Sequence, residues 1–376
     1  MKLPKRSALS LALLGISCLL SFTPALAAAS PLERPAISSA LAARFPLMAL
    51  TRAGDRIVAV GERGHILYSD DSGASWRQAQ VPVSVTLTSV RFASAKLGWA
   101  AGHGGVILHS ADGGQTWLKQ FDGKLAAGLI LDKAQKENAD LGSALQGVRE
   151  GADKPFLDLY FSDEQCGIAV GAYGLVFTTA DGGVTWLSAL DRLPNPEKKH
   201  LYAIRAVGNA LYIAGEQGAL FRSADGGKHF ERLSSPYRGS LFDLVAGADD
   251  AVLLLGLRGN LFRSGDAGGS WKKVELSSAY TLTSATVLAD KSLLLADEAG
   301  ILWKSSDGGR SFAPSRSRGA LPLAGIVQAA NGSVIGVGAR GVVRPALVPS
   351  READPAPEHF PVGTVPAISD IFSRFR

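Results

Sequence analysis

Six copies of one eight-residue pattern punctuate this chain: Ser69 to Trp76, Ser110 to Trp117, Thr179 to Trp186, Ser223 to Phe230, Ser264 to Trp271 and Ser305 to Phe312. Each carries Ser or Thr first, Asp third, Gly fifth, and Ser, Thr or His followed by Trp or Phe at its end. The third-position residues Asp71, Asp112, Asp181, Asp225, Asp266 and Asp307 are separated by 41, 69, 44, 41 and 41 residues. A repeat of that length, built from short apolar runs between Gly and Asp clusters, holds four strands, the content of one propeller blade.

A second motif, G-x-x-G followed by an apolar pair, precedes every copy: Gly61/Gly64, Gly102/Gly105, Gly171/Gly174, Gly215/Gly218, Gly256/Gly259 and Asp297/Gly300, where the first glycine is replaced. It recurs at Gly338/Gly341, 41 residues after Asp297, so seven units are expected and the seventh lacks the eight-residue pattern. Within a unit an alternating stretch such as Leu87 to Phe92 leads to a small-residue run, Gly98 to Gly102, and then to Val106 to Ser110. Such runs bounded by turn residues are strand and hairpin signals, and the short connections require antiparallel pairing. The expectation is an all-β, seven-bladed propeller over residues 28–350. The G-x-x-G turns lie on one face of the disc and the Asp-box turns on the other.

Residues 1–27 read as a secretory signal, with Lys2, Lys5 and Arg6 ahead of an apolar run from Ala8 to Phe22 and a small-residue site at Ala25-Leu26-Ala27. A periplasmic protein without a membrane span of its own is expected. Gly15-Ile16-Ser17 before Cys18 lacks the usual leucine, so lipid attachment is not expected. Cys166 is then left alone and is read as a buried structural thiol. Three of the 39 basic residues lie in the leader, so 36 remain against 34 acidic ones. That balance, without a cluster of cations among aromatics, argues against nucleic acid. Residues 351–376 form a Pro-rich tail.

The 69-residue spacing accommodates an insert between blades 2 and 3, about residues 121–154, with Leu125, Leu129, Ala134, Leu141, Leu145 and Val148 at helical steps. It is expected to pack over the G-x-x-G face and cover part of the channel mouth. The seventh unit lacks a fourth strand, which either Pro35 to Ala43 or the tail would supply.

The six aspartates explain themselves: each carboxylate accepts backbone N–H groups of its own turn, and six equivalent outer turns are too far apart to share a ligand. The position before each pattern reads Tyr68, His109, Thr178, Arg222, Arg263, Lys304 and Arg344, a basic arc that either lies across aromatic rings or faces an acidic partner. Inside the G-x-x-G turns the residues vary, and Arg63, His103, Tyr173, Gln217, Arg258 and Arg340 are the candidates for partner binding. Asp158 and Asp243 either face the channel or tie down a neighbouring strand. No metal or cofactor is expected, since His103 and His109 have no carboxylate fixed near them.

Propellers with this pattern include sialidases, but Arg34-Pro35 and Arg56-Ile57-Val58 lack the arginine element that such enzymes carry near the first blade. The leader, seven units and repeated G-x-x-G-x-[IVL]-[LF]-x-S-x-D-G-G-x-[TS]-[WF] resemble the photosystem II stability/assembly factor family of Asp-box propellers, in particular its exported bacterial relatives, over Phe45 to Pro345. The resemblance implies a non-catalytic, monomeric assembly or docking factor for a membrane protein complex. Arginines of one face would engage the client, either Arg222, Arg263 and Arg344 or Arg63, Arg258 and Arg340. It also implies, for bacterial members, a client among exporters of the resistance-nodulation-division type. A carbohydrate-binding or sialidase-like propeller is the alternative.

Overall fold

The computed structural model describes residues 29–138, 140–316, 321–345 and 348–349. The leader 1–27 and the tail 351–376 lie outside them. Blade 1 consists of Leu47–Ala53, Arg56–Gly61, Ile66–Ser69 and Arg77–Gln78, hydrogen-bonded in that order and antiparallel throughout. Blades 2 to 6 repeat it from the innermost strands Leu87–Phe92, Phe156–Phe161, Leu201–Val207, Leu241–Ala246 and Leu282–Val287, and blade 7 starts at Gly325–Gln328. The innermost strands touch their neighbours in one closed cycle, with blade 7 returning to blade 1.

The core lies between blades rather than within one layer. The second strand of each blade, such as Gly98–Gly102 or Val252–Gly256, is buried along its length, with half-buried Arg56 at the start of blade 1's second strand as the exception, because both its faces meet a neighbouring sheet. Seven hydrophobic clusters fill the seven interfaces. Val58, Val60 and Ile66 of blade 1 meet Val90, Leu108 and Trp117 of blade 2, and Ile57 and Leu67 on the other side meet Ile335 and Val337 of blade 7.

Ring closure differs from the sequence expectation. Among the described residues blade 7 has three strands, and the N-terminal segment reaches its outer edge as a 3-10 turn, Ala42–Arg44, instead of a fourth strand. Ala42 is buried with Leu47, Ile335 and Val337, so closure is by side-chain packing. Upstream, Ala36 N–H donates to Val81 O (3.0 Å) and Ser84 N–H to Pro31 O (2.8 Å), which straps the same segment along blade 1. Val348–Pro349 instead pairs with Ala313–Arg316 at the outer edge of blade 6.

The insert forms two helices, α1 (Gly123–Glu137) and α2 (Leu141–Glu150). Asp122 caps α1 by accepting from the Lys124 and Leu125 N–H groups (3.0 and 3.2 Å), and Asp140 caps α2 at the Ser143 N–H (3.1 Å). Helix α1 turns Ala126, Leu129 and Ile130 into the cluster formed by Phe121, Phe156 and Trp186. It therefore fills the outer wedge between blades 2 and 3, against the outermost strand Leu187–Ser188 and the G-x-x-G turn His103–Gly105 of blade 2. Leu125, Leu141, Leu145 and Val148, expected to face the propeller, are exposed. Small Ala144 is what α2 buries.

Candidate functional site

The Asp-box turns close on themselves. In the first, Asp71 Oδ1 accepts from the Ser69 hydroxyl and the Ser75 N–H (both 2.8 Å), Oδ2 accepts from the Ser75 hydroxyl (2.6 Å), and Ser69 Oγ accepts the Gly73 N–H (2.7 Å). The same set recurs at Asp112, Asp181, Asp266 and Asp307, and at Asp225 with His229 in place of the hydroxyl. In every box a backbone donor lies four residues ahead of the aspartate. These donors hold all six carboxylates below the usual range, Asp181 and Asp266 at about 2.

The basic arc before the boxes is also consumed internally, though not by aromatic rings. Arg344 Nη2 donates to Ser72 O (3.0 Å) and Arg263 Nε to Gly308 O (3.1 Å), each at the fourth position of the next blade's box. Arg222 pairs with Glu231 on the adjacent strand (2.9 Å), and Lys304 with Asp290 (3.2 Å). The guanidinium that does lie over a ring is Arg56, 4.5 Å from Tyr68. The other side of this arginine donates to Gly113 O (3.0 Å), again the fourth position of the next box.

The opposite face is built differently. The first glycine of each turn sits where the innermost strand passes close: a Cβ on Gly61 or Gly102 would stand 2.2 Å from the carbonyl oxygen of Pro46 or Thr86. The next residue's N–H donates to that same oxygen, Glu62 to Pro46 (3.1 Å) and His103 to Thr86 (2.8 Å). Asp297 substitutes for glycine by accepting the Ala299 and Ile301 N–H groups and the Trp303 indole N–H (3.0, 2.9 and 3.1 Å). The third residue of the turn is left-handed although it is not glycine in four blades, with φ of 56° at Arg63, 55° at Tyr173, 50° at Gln217 and 58° at Arg258. That conformation lifts the side chain off the disc. Arg63, Tyr173, Gln217, Arg258 and Arg340 are exposed and His103 is half-buried. Among the described residues Arg63, Arg258 and Arg340 enter no ion pair.

Between these turns runs an aromatic line that the sequence reading missed. Tyr173 lies 4.9 Å from His200, His200 stacks at 6.3 Å on Tyr202, and Tyr202 is 5.3 Å from Phe242. It crosses blades 3, 4 and 5 at the G-x-x-G end of the innermost strands. The signal was present: Tyr202 and Phe242 hold the second position of their innermost strands, where blades 2 and 6 have Thr88 and Thr283. At its outer end Lys154 stands 5.8 Å from the Tyr173 ring, beside a cavity of about 390 Å³ under the insert. Ala126, Ile130, Tyr173, Leu175 and the Lys133–Asp191 pair line that cavity.

On the axis, Asp158 and Asp243 do what the second reading of them required and tie strands together. Asp158 pairs with Arg91 (3.0 Å) and Arg205 and accepts from Ser89 Oγ (2.7 Å) and the Ile204 N–H (3.1 Å). Asp243 pairs with the same Arg205 (2.7 Å) and accepts from the Ala285 N–H (3.2 Å). Burial pushes both carboxyls upward. The two guanidiniums outweigh it at Asp158, which stays low, whereas Asp243 is raised. Their side chains are only 4% and 8% exposed and line neither of the two large cavities. Cys166, expected to be buried, is exposed in the turn joining the first two strands of blade 3, where its N–H donates to Asp163 (2.7 Å).

Comparison with known proteins gives the same architecture. The sequence profile of the family described as "Photosynthesis system II assembly factor YCF48" matches residues 47–132 and 137–274. A curated relative, the photosystem II assembly lipoprotein Ycf48 of Synechococcus sp. (strain CC9902), is 38% identical over 77 residues, which cover 20% of this chain and 23% of that one. A solved structure of YCF48 bound to D1 peptide superposes with a TM-score of 0.61 at 16% identity, covering 82% of this chain and 97% of that one. The GH74 enzyme of Niastella koreensis superposes at 0.57 and 13% identity over 79% of this chain and 52% of its own. Both superpositions show the fold alone.

Proposed function

Because the chain belongs to the photosystem II assembly factor YCF48 family, we propose that it is a non-catalytic assembly or docking factor that holds a segment of a membrane protein on its G-x-x-G face. The observation that carries this is the contrast between arginines. Arg263 and Arg344 on the box face are spent on neighbouring turns, whereas Arg63, Arg258 and Arg340 stand exposed on turns of the face that also carries the aromatic line from Tyr173 to Phe242. A face that carries both exposed cations and a line of rings suits an acidic or carboxylate-bearing peptide with apolar side chains. A family relative has been solved with a peptide of D1. For this chain the client is a membrane protein complex of the periplasmic side, with exporters of the resistance-nodulation-division type first in line, and the protein acts there as an exported monomer.

Among the described residues no helix is long and apolar enough to cross a membrane. A glycosidase reading gains nothing from the axis, because Asp158 and Asp243 share Arg205 and lie buried. The test is recovery of a membrane complex from detergent-solubilised membranes, identified by mass spectrometry, with the wild type and with the triple variant Arg63→Ala, Arg258→Ala, Arg340→Ala. Loss of one defined complex from a folded triple variant is expected. Equal recovery by both, or recovery of nothing, would remove this face from the reading.

A further inference from the structure

The carbonyl at the fourth position of an Asp box is met, in five boxes of six, by a side-chain donor from the preceding blade. Arg344 reaches Ser72 O, Arg56 reaches Gly113 O, Trp99 Nε1 reaches Gly182 O (2.9 Å), Tyr212 Oη reaches Ala267 O (3.2 Å) and Arg263 reaches Gly308 O. The sixth is Gly226 of blade 4, which no side chain of blade 3 meets among the described residues. Three strand positions supply the donor elsewhere, and none carries an indole, phenol or guanidinium here: Cys166 stands where blade 1 has Arg56. Ile168 stands where blades 2 and 4 carry Trp99 and Tyr212, and Thr178 stands where blades 5 and 7 carry Arg263 and Arg344. A cavity of about 470 Å³ opens at that point, and Ile168, Thr178 and Gly226 all line it. The gap is local: further out Phe230 N–H still bonds Arg192 O (2.9 Å), and beneath it Ile168, Leu211 and Ile213 pack in the interface cluster.

The sister interfaces show what this space is shaped for. Where the fourth-position carbonyl is approached through the Ile168 position, the group that fills the gap is an indole or a phenol lying flat between blades with its N–H or O–H on the oxygen. The walls of the open cleft suit such a ring, with Tyr160, Ile168, Leu187 and Leu211 presenting apolar surface. Charge separates this occupant from the guanidiniums used at other interfaces: Arg192 and Lys228 line the cleft and no carboxylate does. A further cation is disfavoured there, whereas an aromatic ring with acidic neighbours is favoured. The volume falls within the range of about 300–1,000 Å³ usual for ligand sites.

We infer that the cleft between blades 3 and 4 on the Asp-box face is a binding site for a tryptophan or tyrosine side chain presented by an acidic peptide segment, which completes from outside the contact to Gly226 that the described residues leave open. This site lies on the opposite side of the disc from the proposed docking face and stands or falls independently of it.

Cys166 lines the cleft and is exposed, so its alkylation by iodoacetamide, mapped by mass to the peptide that contains it, reports occupancy in the full chain. The probes are acetyl-Glu-Trp-Glu-amide, its Glu-Phe-Glu counterpart, which keeps the ring and lacks the donor, and its Lys-Trp-Lys counterpart. The Glu-Trp-Glu peptide is expected to protect Cys166 in a saturable manner, with each counterpart about tenfold weaker, the effect of one lost hydrogen bond or of reversed charge. Thr178→Arg restores the donor of blades 5 and 7 and is expected to abolish protection. Ile168→Trp, which copies blade 2, gives the same reading should the arginine variant not fold. Absence of protection by Glu-Trp-Glu, equal protection by the phenylalanine peptide, or unchanged protection in the folded donor-restored variants would overturn the assignment. The triple arginine variant of the other face should protect like the wild type.

Discussion

The two faces of the disc use the same residue types for opposite purposes. On the Asp-box face, charge is turned inward onto backbone: each aspartate accepts from its own turn, and Arg56, Arg263 and Arg344 donate to the next blade. On the G-x-x-G face, glycines set the backbone, and in blades 1, 3, 4 and 5 the variable residue Arg63, Tyr173, Gln217 or Arg258 is held exposed in a left-handed conformation. A motif repeated with little change is therefore the scaffold's own fastening, and a position that varies on a fixed turn is where a partner can be read. The axis belongs with the first group, because Arg91, Asp158, Arg205 and Asp243 are fastened to one another across blades 2 to 5.

That division breaks if inward charges prove dispensable. Asp158→Ala leaves Arg91 and Arg205 without their shared partner and should cost about 3 kcal/mol in urea unfolding, as removal of one member of a buried pair does. Arg258→Ala, from the outward group, should stay within about 0.5 kcal/mol of the wild type in the same assay. Similar losses in both would erase the distinction.

Acid unfolding tests the boxes. A carboxylate whose folded pKa is depressed stabilises the fold above its unfolded pKa of about 3.9, and that stability is lost as pH falls through the folded value. With Asp181 and Asp266 held at about 2 and the other four also lowered, the main loss should fall between about pH 4 and 2. Burial also lowers His65, His103, His109 and His200, so a shallower decline should begin below about pH 6.5, where the unfolded chain takes up protons first. Stability measured against pH should show both windows, and a flat profile from pH 4 to 2 would contradict the box assignment. Ser110→Ala tests one box alone. It removes the hydroxyl that joins Asp112 to the buried Gly114 N–H and should cost about 1–2 kcal/mol in urea unfolding.

What could be read from the sequence was whatever repeats: the blade period, the six turns and the glycines, each enforced by local backbone geometry. What could not be read depends on which blade stands next to which. Arg56, Trp99 and Tyr212 perform one task from two different strand positions, so no single motif marks it. The line from Tyr173 to Phe242 is formed by residues of three consecutive blades that only the packing of blade on blade brings together. The insert shows the limit of periodicity. Its leucines follow a helical step, yet α2 buries Ala144 and leaves Leu141 and Leu145 exposed.

The smallest expected effect bears most directly on why the variable face is built as it is. A non-glycine residue in the left-handed region costs about 1–2 kcal/mol, and glycine returns part of that gain through its greater freedom when unfolded. Blade 2 already has Gly104 at the position held by Gln217 in blade 4. Gln217→Gly should therefore raise stability by about 0.5–1 kcal/mol in urea unfolding, with an unchanged dependence on denaturant. Arg258→Gly should do the same while weakening recovery of the client. Two variants that stabilise the fold, one of which impairs binding, would mean that the side chain is kept at this turn against the preference of the backbone. If Gln217→Gly instead destabilises, the glutamine fastens the scaffold, and the line between the two faces must be redrawn at blade 4.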